Sequence, residues 1–483
     1  MVVMKFGGTS VTDRSAIERL IAIVRAQRQA DAQQEGGDAR GPVVVVSALA
    51  GVTDRLLGIA AEAGAGDTEG ARNNLRELRQ RHIDVSHVVT DVTHRAHVVE
   101  FLNHELDELE RIVHALGVLR EVSPRWLDAL AAAGEILSSR IVAAALSSHG
   151  LMAAWIDARR AIVTDAEHTV AAPLLPETTA ALMRHVDPPL AAGRLPVIGG
   201  FVGATTAGVT TTLGRGGSDY SAAIVGSCLG AAEIQIWTDV DGMLTADPRI
   251  VAEPWVVPHL SFAEASELAY FGAKVLHPST ILPAVARNIP VRILNSQRPQ
   301  AKGTLITSER PASDRPLTAI ASKKQVTVVD ITSSRMLMAH GFLRRLFEVF
   351  ERHRTPVDVV TTSEVSVSVT VDDRRRLAAI VQTLSEFAEV ACEDEMAIVC
   401  AVGEGLRRDP TLVGEVLLGV GDVPLRMVSQ AASRRNVTFV IREGSLPTVL
   451  GRLHARFFDE GRATTATEAR RQPSGATATA ERP

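Results

Sequence analysis

The chain has few cysteines, no long apolar run and little excess charge, and each absence removes a class of protein. Its three cysteines, Cys228, Cys392 and Cys400, are widely spaced among apolar neighbours, which predicts buried free thiols rather than a disulfide or zinc site. A net charge of −5 gives no electrostatic reason to expect nucleic acid or an anionic membrane as a partner. No signal peptide is visible and no uninterrupted apolar run approaches about 18 residues, so no membrane span is predicted. We therefore expect a cytoplasmic protein.

The sequence also lacks the signatures of several common catalytic sites. No G-x-x-x-x-G-K-[ST] motif occurs, which excludes an ordinary P-loop. The histidines do not show the H-x-x-x-H or Cys/His spacing of a transition-metal site. No G-x-S-x-G is present, and nothing indicates a nucleophilic serine or cysteine. A phosphate site in this chain would therefore need glycine-rich loops of another kind.

Short β-branched runs followed by small residues and a helical pattern recur in the first part of the chain. The opening "MVVMKFGGTS" contains one such strand, and "PVVVVSALAGVTD", "LPVIGGFVGA" and "EIQIWTDVDGM" repeat the pattern. Alternating strands and helices favour an α/β fold with a mostly parallel sheet and helices on both faces. Ligands of such folds lie beyond the carboxyl ends of the strands, so we expect the chemistry in the loops that follow them.

The pattern changes past Gly303. Two similar units follow, each with strand, helix, two strands and helix, and Pro356 and Pro424 are equivalent at an offset of 424 − 356 = 68 residues. This repeat predicts two ferredoxin-like βαββαβ sandwiches. The predicted division is an α/β domain at 1–305, a linker at 306–320, the first repeat at 321–390, the second repeat at 391–461 and a disordered tail at 462–483.

Two glycine-rich stretches are candidate anion sites. Lys5 ends the first strand just before Gly7 and Gly8; a lysine is costly to bury without a partner, and paired glycines let a ligand approach the backbone closely. In "TTTLGRGGSDYSAA" the glycines precede a helix start, where backbone N–H groups and the helix dipole favour an anion. Arg215 in this loop suits bidentate binding of a carboxylate, and Asp219 is either part of the site or a helix cap.

Other polar residues have ordinary structural explanations beside functional ones. Asp239, Asp241 and Asp247 occur in sequences that start turns, and their spacing lacks the downstream glutamate of a calcium loop. Lys274 follows a glycine near a helix end, and Glu135 lies on a predicted helix beside small residues. Lysine and glutamate at such positions are usually exposed.

Four motifs in sequence order resemble one family. "KFGGTSV", "GRGGSDYSAA", "TDVDGMLTADPR" and "FGAKVLHP", followed by the twin repeat, resemble aspartate kinase over nearly the whole chain, apart from the loop near Gly36 and the tail. The first repeat is most similar to the single-function, lysine-inhibited branch. The resemblance implies an amino-acid-kinase domain followed by two ACT domains, the second inserted into the first so that the last segment completes it. It also implies transfer of the ATP γ-phosphoryl group to the β-carboxylate of L-aspartate, the first step towards lysine, threonine and methionine.

The same resemblance implies roles for individual residues. Lys5 and Asp219 are the implied catalytic residues. The implied nucleotide contacts are Lys5, Phe6, Gly7, Gly8, Thr238, Asp239, Leu244, Arg249, Lys274 and Val275. Leu244 stands where a lysine-sensitive relative has tyrosine, so it can pack on the adenosine but cannot donate a hydroxyl hydrogen bond. The implied aspartate contacts are Ser47, Thr53, Glu135, Arg215 and Ser218, with Glu135 at the ammonium group and Arg215 at the α-carboxylate. No metal ligand in the protein is implied, since Mg²⁺ binds through ATP.

An effector site is implied in the first ACT domain. Its residues are Met336, Ala339, Phe342, Leu343, Val357, Asp358, Ser363 and Glu364, with Ala339 in place of an expected serine. Asp358 and Glu364 suit a cationic ligand, which favours L-lysine, whereas the hydrophobic members have core packing as the alternative explanation. ACT domains commonly pair across subunits, so a homodimer or homotetramer is expected.

Two other functions are consistent with parts of the pattern. One is a different amino acid kinase, such as glutamate 5-kinase or acetylglutamate kinase, although "KFGGTSV" with paired ACT units counts against it. The other is a catalytically silent amino-acid sensor that retains the ACT pair, although Lys5, Arg215 and Asp219 are all present.

Overall fold

The computed structural model describes residues 1–33, 41–272, 278–311, 315–333, 340–407, 409–430 and 433–459. The chain divides into two compact units. The first contains Met1–Met243, Pro258–Ala265 and Lys274–Arg310, and the second contains Leu244–Val257, Ser266–Ala273 and Pro311–Pro483. The predicted tail at 462–483 and the predicted site residues Lys274, Val275, Met336 and Ala339 lie outside the described residues.

The first unit is built on a mostly parallel sheet, as predicted. Its strands are β1 (Val2–Phe6), β2 (Val43–Val46), β3 (Ala153–Ile156), β4 (Val163–Thr164), β5 (Leu195–Gly199), β6 (Val202–Thr205), β7 (Thr210–Thr212), β8 (Glu233–Thr238), β9 (His259–Ser261), β10 (Val291–Asn295) and β11 (Thr304–Thr307). The large sheet has the order β3-β5-β2-β1-β8-β10-β11-β9, and a small sheet has the order β4-β6-β7. In the large sheet only the β10–β11 pair is antiparallel among the described pairings. The central strands β1 and β2 are buried on both faces, which explains their continuous β-branched and apolar sequence.

Helices lie between these strands in sequence. They are α1 (Arg14–Gln33), α2 (Val52–Gly64), α3 (Thr68–Ser86), α4 (Val92–Leu119), α5 (Pro124–Ser148), α6 (Leu175–His185), α7 (Asp187–Ala191), α8 (Gly217–Leu229), α9 (Phe262–Tyr270) and α10 (Leu282–Ala286). Helix α9 runs across the division between the two units. Apolar side chains of α1 to α5 join those of β1 and β2 in one hydrophobic core.

Helix α5 is long and apolar enough to cross a membrane by length and composition alone. Of the most apolar 18-residue stretch of this helix, 83% is buried inside the protein, as in the core helix of a folded domain. The helix packs on α2 and α4 and against the strands of the sheet. Its composition, rich in alanine, therefore reflects close packing between helices and sheet.

The second unit contains the twin repeat. Its strands are β12 (Ala319–Thr332), β13 (Val360–Thr362), β14 (Ser366–Val371), β15 (Glu389–Val402), β16 (Met427–Gln430) and β17 (Asn436–Arg442). Its helices are α11 (Phe342–Arg352), α12 (Leu377–Leu384), α13 (Pro410–Val420) and α14 (Leu446–His454). All six strands pair antiparallel in the order β13-β14-β12-β15-β17-β16. This sheet and the helices that pack on it form the two ferredoxin-like ACT folds that the repeat predicts.

The long strands β12 and β15 serve both ACT folds. One half of each strand packs with α11 and α12 over one core, and the other half packs with α13 and α14 over a second core. The ladder shifts register between the halves, and Gln325 and Glu395 have φ of 58° there. Two residues in the left-handed region mark a break in an otherwise regular pairing.

Two details differ from the sequence expectations. The expectation is that the last segment completes the first ACT domain, but α14 packs in the core of the second one. Residues 319–323, at the start of β12, pair with β15 and belong to the second ACT fold as well. The first unit also extends to Arg310, beyond the predicted boundary at 305, because β11 pairs with β9 and β10.

The expectation of three buried thiols was wrong. Cys400 is buried, Cys228 is partly buried and Cys392 is exposed. Cys392 lies in the first half of β15, where residues 389–395 are exposed or partly buried, whereas Cys400 lies in the buried second half.

Candidate active site

The predicted site loops meet at the carboxyl edge of the large sheet. Strands β5, β2, β1, β8 and β10 are parallel neighbours, so the loops after them emerge at one edge. Backbone hydrogen bonds join these loops directly: the N–H of Gly7 donates to Trp237 O (2.9 Å), and the N–H of Ser47 donates to Phe6 O (3.0 Å). Gly200 donates similarly to Val46 O (2.8 Å). The edge where ligands of parallel sheets bind is thus built from residues that the sequence singled out.

Lys5 is buried at this edge and paired with Asp219. Its Nζ atom lies 2.7 Å from Asp219 Oδ1, and the two side chains are only 10% and 14% exposed. Asp219 Oδ1 has no hydrogen-bond partner among the described residues, so its contact with Lys5 is an ion pair defined by the short distance. Asp219 lies in the first turn of α8, whose N-cap is Gly216, so Asp219 is the partner of the lysine rather than the cap. This contact joins residues 214 positions apart (219 − 5).

The two glycines after Lys5 have different surroundings. A Cβ atom on Gly7 would lie 3.6 Å from Lys5 Nζ, and one on Gly8 would lie 3.0 Å from Ala48 O. Ser10 fixes the end of the loop, because its hydroxyl donates to Ser296 Oγ (2.8 Å) beyond β10. Gly7 therefore keeps the position beside the ammonium group free of a side chain, and Gly8 lets the loop pack closely on the backbone that follows β2.

The "GRGGSD" loop forms the start of α8 on the other side of Lys5. Gly214 and Gly216 have φ of 76° and 67°, which favours glycine at both positions. Arg215 between them is exposed. Ser218 packs against the loop after β5, since a Cβ atom on Gly200 would lie 2.7 Å from Ser218 Cβ. An exposed arginine in a turn of fixed shape suits recognition of a ligand carboxylate.

Glu135 lies on helix α5, which packs against the sheet next to the site. Glu135 is 4% exposed, and its Oε2 atom has no hydrogen-bond partner within the described residues. Burial raises the pKa of Glu135 to about 8, against the opposing effects of the Ala48 amide and the Lys5 charge. Gly134 allows the helix to come this close, because a Cβ atom there would lie 2.8 Å from Ala48 Cβ. Glu135 is thus buried, not on the surface as an isolated helical glutamate would be.

The predicted substrate hydroxyls lie on either side of the turn that follows β2. Ser47 is partly buried, and its carbonyl accepts a hydrogen bond from Ser138 Oγ (2.8 Å) on α5. Thr53 is in the first turn of α2, also partly buried. Both residues therefore flank the turn after β2, which packs against α5 near Glu135.

The predicted nucleotide residues are divided between the two units. Thr238 ends β8, and its hydroxyl donates to Asp239 Oδ1 (3.2 Å). Leu244 and Arg249 belong to the second unit, where Leu244 bridges to Val256 and Arg249 pairs with Asp247 (2.7 Å). Asp247 also accepts the backbone N–H of Arg249 (2.9 Å), which is the turn chemistry expected of it.

The described effector residues lie in the first ACT fold. Phe342 and Val357 pack against its core, whereas Leu343, Ser363 and Glu364 are exposed. Asp358 is 4% exposed at its side chain and is paired with Lys323 of the same chain (2.9 Å).

The Asp358 carboxylate is thus already occupied by an ammonium group. Lys323 pairs with Asp372 as well (2.7 Å) and lies 5.6 Å from the centre of the Tyr270 ring. Burial raises the pKa of Asp358, against the opposing effect of Lys323. Burial alone would lower the pKa of Lys323, but its hydrogen bonds to Asp372 and Asp358 raise it overall.

Sequence reasoning missed two residues near the site. Phe201 has φ of 64°, donates its N–H to Ser221 Oγ (2.8 Å), and packs so closely that a Cβ atom on Gly217 would lie 2.4 Å from its ring. A bulky residue in the left-handed region is held there by its surroundings, often at functional sites. Asp128 on α5 is fully buried and accepts several hydrogen bonds. Asp128 lies in no glycine-rich or acidic motif that would have revealed it, whereas Phe201 follows Gly199 and Gly200 in the quoted "LPVIGGFVGA" and its position after a predicted strand was the available signal.

Residues 1–295 match the model of the amino acid kinase family. The chain is 36% identical over 472 residues to aspartokinase 3, chloroplastic, of Arabidopsis thaliana, covering 95% of this chain and 81% of that protein. It is 33% identical over 474 residues to lysine-sensitive aspartokinase 3 of Escherichia coli, covering 95% and 99%. The chain belongs to the amino acid kinase family, and within it to the aspartokinases. The resemblance drawn from the motifs is confirmed.

A solved structure supports the same assignment across both units. The E. coli aspartokinase III structure in complex with aspartate and ADP matches with a TM-score of 0.80 at 33% identity, over 95% of this chain and all (100%) of that one. The predicted fold class, an amino-acid-kinase fold followed by two ACT domains, is confirmed as well.

Proposed function

We propose that this chain transfers the γ-phosphoryl group of ATP to the β-carboxylate of L-aspartate, giving 4-phospho-L-aspartate and ADP. The observation that carries the proposal is Glu135, a buried carboxyl group with an unpartnered oxygen among the described residues, on the same sheet edge as the Lys5–Asp219 pair. A buried acid of this kind suits the ammonium group of an amino acid, and the exposed Arg215 suits its α-carboxylate. The two ends of an α-amino acid are thus matched by opposite charges.

The proposed reaction depends mainly on positioning the two substrates and on neutralising their negative charges. The attacking carboxylate of aspartate is ionised at neutral pH, so no general base is needed to activate it. The carboxylate and the triphosphate repel each other, and a fixed positive charge between them lowers that cost. Lys5 supplies this charge from a rigid strand end, and Asp219 holds its ammonium group in place.

The proposed place for the ATP phosphates is beside Lys5 Nζ, where Gly7 carries no side chain. Within the described residues no group of three or more His, Cys, Asp and Glu side chains could hold a metal ion. We propose that Mg²⁺ would be held through ATP instead of by protein carboxylates, and that it would neutralise phosphate charge. Thr238 and Asp239 are the proposed nucleotide contacts at the end of β8.

Regulation by L-lysine is the second part of the proposal. The E. coli relative is named lysine-sensitive, and the first ACT fold of this chain offers Asp358 and Glu364 to a cationic ligand. Because Lys323 already occupies Asp358, the ammonium group of an effector bound there has to compete with it. We also propose a cytoplasmic homodimer or homotetramer paired through the ACT domains.

A panel of acceptors tests the catalytic proposal. ADP release should depend on L-aspartate and not on L-glutamate or N-acetylglutamate, which separates this function from those of other amino acid kinases. Arg215→Lys should raise the aspartate KM more than the ATP KM, because an ammonium group cannot reproduce the two parallel bonds of a guanidinium. The matched control is Arg287→Lys, at another exposed arginine of the first unit. ADP release without dependence on any acceptor, or none at all, would contradict the proposal.

A further inference from the structure

Asp128 is the centre of a buried hydrogen-bond network at the start of α5. Its side chain is 0% exposed, and its carboxylate accepts the Thr169 N–H (3.0 and 3.1 Å), the Thr212 hydroxyl (2.5 Å) and His168 Nδ1 (2.6 Å). Charge-assisted hydrogen bonds of this length are among the stronger polar contacts in proteins. One side chain thus joins three chain segments: α5, the loop at 165–171 and strand β7.

Two of these segments hold the turn that carries Arg215. Strand β7 ends at Thr212 and leads directly into Gly214, and the Ala171 N–H donates to Thr212 O (2.9 Å). The loop also lies beneath the turn, since a Cβ atom on Gly214 would lie 3.3 Å from Thr169 O. Thr169 itself has φ of 74°, a conformation that threonine rarely adopts, and its N–H is one of the groups bound by Asp128.

The third segment carries Glu135. Asp128 and Glu135 are seven residues apart on α5 (135 − 128), which is two helical turns, so both side chains lie on the same face of the helix. Both are buried. The helix therefore connects the proposed ammonium ligand to the support of the proposed carboxylate ligand.

We infer that Asp128 is a positioning residue for aspartate binding: it fixes the Arg215 turn relative to Glu135, so that the two groups match the α-amino and α-carboxylate ends of the substrate. This inference rests on the proposed function. Asp128 is buried behind the turn and acts on the substrate through Arg215.

The substitution Asp128→Asn tests the inference because it keeps the size of the side chain. Its amide retains one acceptor oxygen but cannot accept hydrogen bonds from all three donors. The aspartate KM should rise about tenfold or more, with the ATP KM changed less than twofold and kcat reduced less than the ratio kcat/KM for aspartate. Thr212→Val, which removes one donor to Asp128, should shift the aspartate KM in the same direction by a smaller factor.

Thr211→Val is the matched control. Thr211 is the neighbouring residue on β7, is equally buried, and makes its hydrogen bond to Thr164 Oγ1 (2.7 Å) instead of Asp128. It should lower thermal stability without moving the aspartate KM. Asp128→Asn combined with Arg215→Lys should give less than the product of the two single effects, since both act on the same carboxylate contact.

The outcomes separate this inference from the proposed function. Wild-type turnover of aspartate with an unchanged KM in both Asp128→Asn and Thr212→Val would overturn the role of Asp128 alone. The same holds for an equal rise in the KM of ATP and aspartate, or for an equal shift in the Thr211→Val control. Wild type that does not phosphorylate aspartate would overturn both. If Asp128→Asn does not fold, as judged by circular dichroism, Thr212→Val decides the question.

Discussion

Lys5 is the side chain on which the proposed catalysis depends most. It is 8% exposed, ends a central strand, and has its ammonium group 2.7 Å from a carboxylate oxygen of Asp219. The charge is held in place before substrates bind, so little reorganisation is needed during the reaction. Removing it should therefore affect the transition state more than the binding of either substrate.

Lys5→Ala should reduce kcat by a hundredfold or more, since loss of a comparable preorganised donor costs about 3–4 kcal/mol in the transition state. Steady-state kinetics of the purified variant measure this. Lys302→Ala, at an exposed lysine of the same unit, is the control and should keep wild-type turnover. Near-normal turnover in Lys5→Ala would remove the lysine from the mechanism.

Glu135 should make aspartate binding depend on pH. With its pKa raised to about 8 by burial, Glu135 is mostly protonated at pH 7 in the free protein and must ionise to pair with the substrate ammonium group. The aspartate KM should therefore fall as pH rises from about 6 to 8, by up to about tenfold per pH unit, whereas the ATP KM should not follow it. Glu135→Gln should show a higher aspartate KM that varies little with pH. A wild-type aspartate KM independent of pH over this range would contradict the assignment.

Helix α3 contributes a buried histidine that should limit stability in acid. His82 is 0% exposed, its Nδ1 atom contacts Leu78 O (2.7 Å), and burial lowers its pKa from 6.5 to about 4. Below pH 6.5 the unfolded chain binds a proton at this residue that the folded chain does not, so the free energy of unfolding falls as pH decreases towards 4. A shift of this size corresponds to about 3 kcal/mol across that window.

His82→Leu should therefore lose less stability than wild type between pH 7 and pH 5. Urea unfolding at both pH values measures the difference, and His87→Leu, an exposed histidine at the end of the same helix, is the control. An equal loss in wild type and His82→Leu would show that His82 does not contribute to acid sensitivity.

The elements of the site show how far the sequence could predict the structure. Strands β1, β2, β5 and β8 and the loops after them follow from short apolar runs and glycines, and these are local signals. The Lys5–Asp219 pair and the burial of Glu135 depend on which strands are neighbours, and that was available only through resemblance to a family. Asp128 could not be found at all, because its partners at 168, 169 and 212 are distant in sequence and carry no motif. The topology of the ACT pair was missed in part for the same reason, since β12 and β15 each serve two folds.

At the scale of the whole molecule, we propose that lysine bound to the ACT folds lowers the activity of the kinase unit. Such control requires that lysine bind one global state better than another, with a coupling of about 1–3 kcal/mol in ordinary cases. Lys323 bears on this control because it pairs with both Asp358 and Asp372. It also lies two residues before Gln325, where the register of β12 shifts between the two folds.

Lys323→Met should lower the lysine concentration for half-maximal inhibition by about tenfold, because the effector no longer displaces an internal ammonium group; this corresponds to about 1.4 kcal/mol. Inhibition curves and calorimetric titration with L-lysine measure the change, and uninhibited kcat should stay close to wild type. Lys324→Met is the control, since this neighbouring lysine is exposed. Weaker inhibition in Lys323→Met than in Lys324→Met would show that Lys323 supports effector binding instead of competing with it.

The central claim is that the product is an acyl phosphate of aspartate, and trapping with hydroxylamine tests it most directly. Wild-type protein with ATP, Mg²⁺, L-aspartate and hydroxylamine should form aspartyl hydroxamate in a one-to-one ratio with ADP, and Lys5→Ala should form at least a hundredfold less in the same time. ADP formation by the wild type without any hydroxamate would contradict the account, because the phosphoryl group would then be passing to an acceptor other than the aspartate carboxylate.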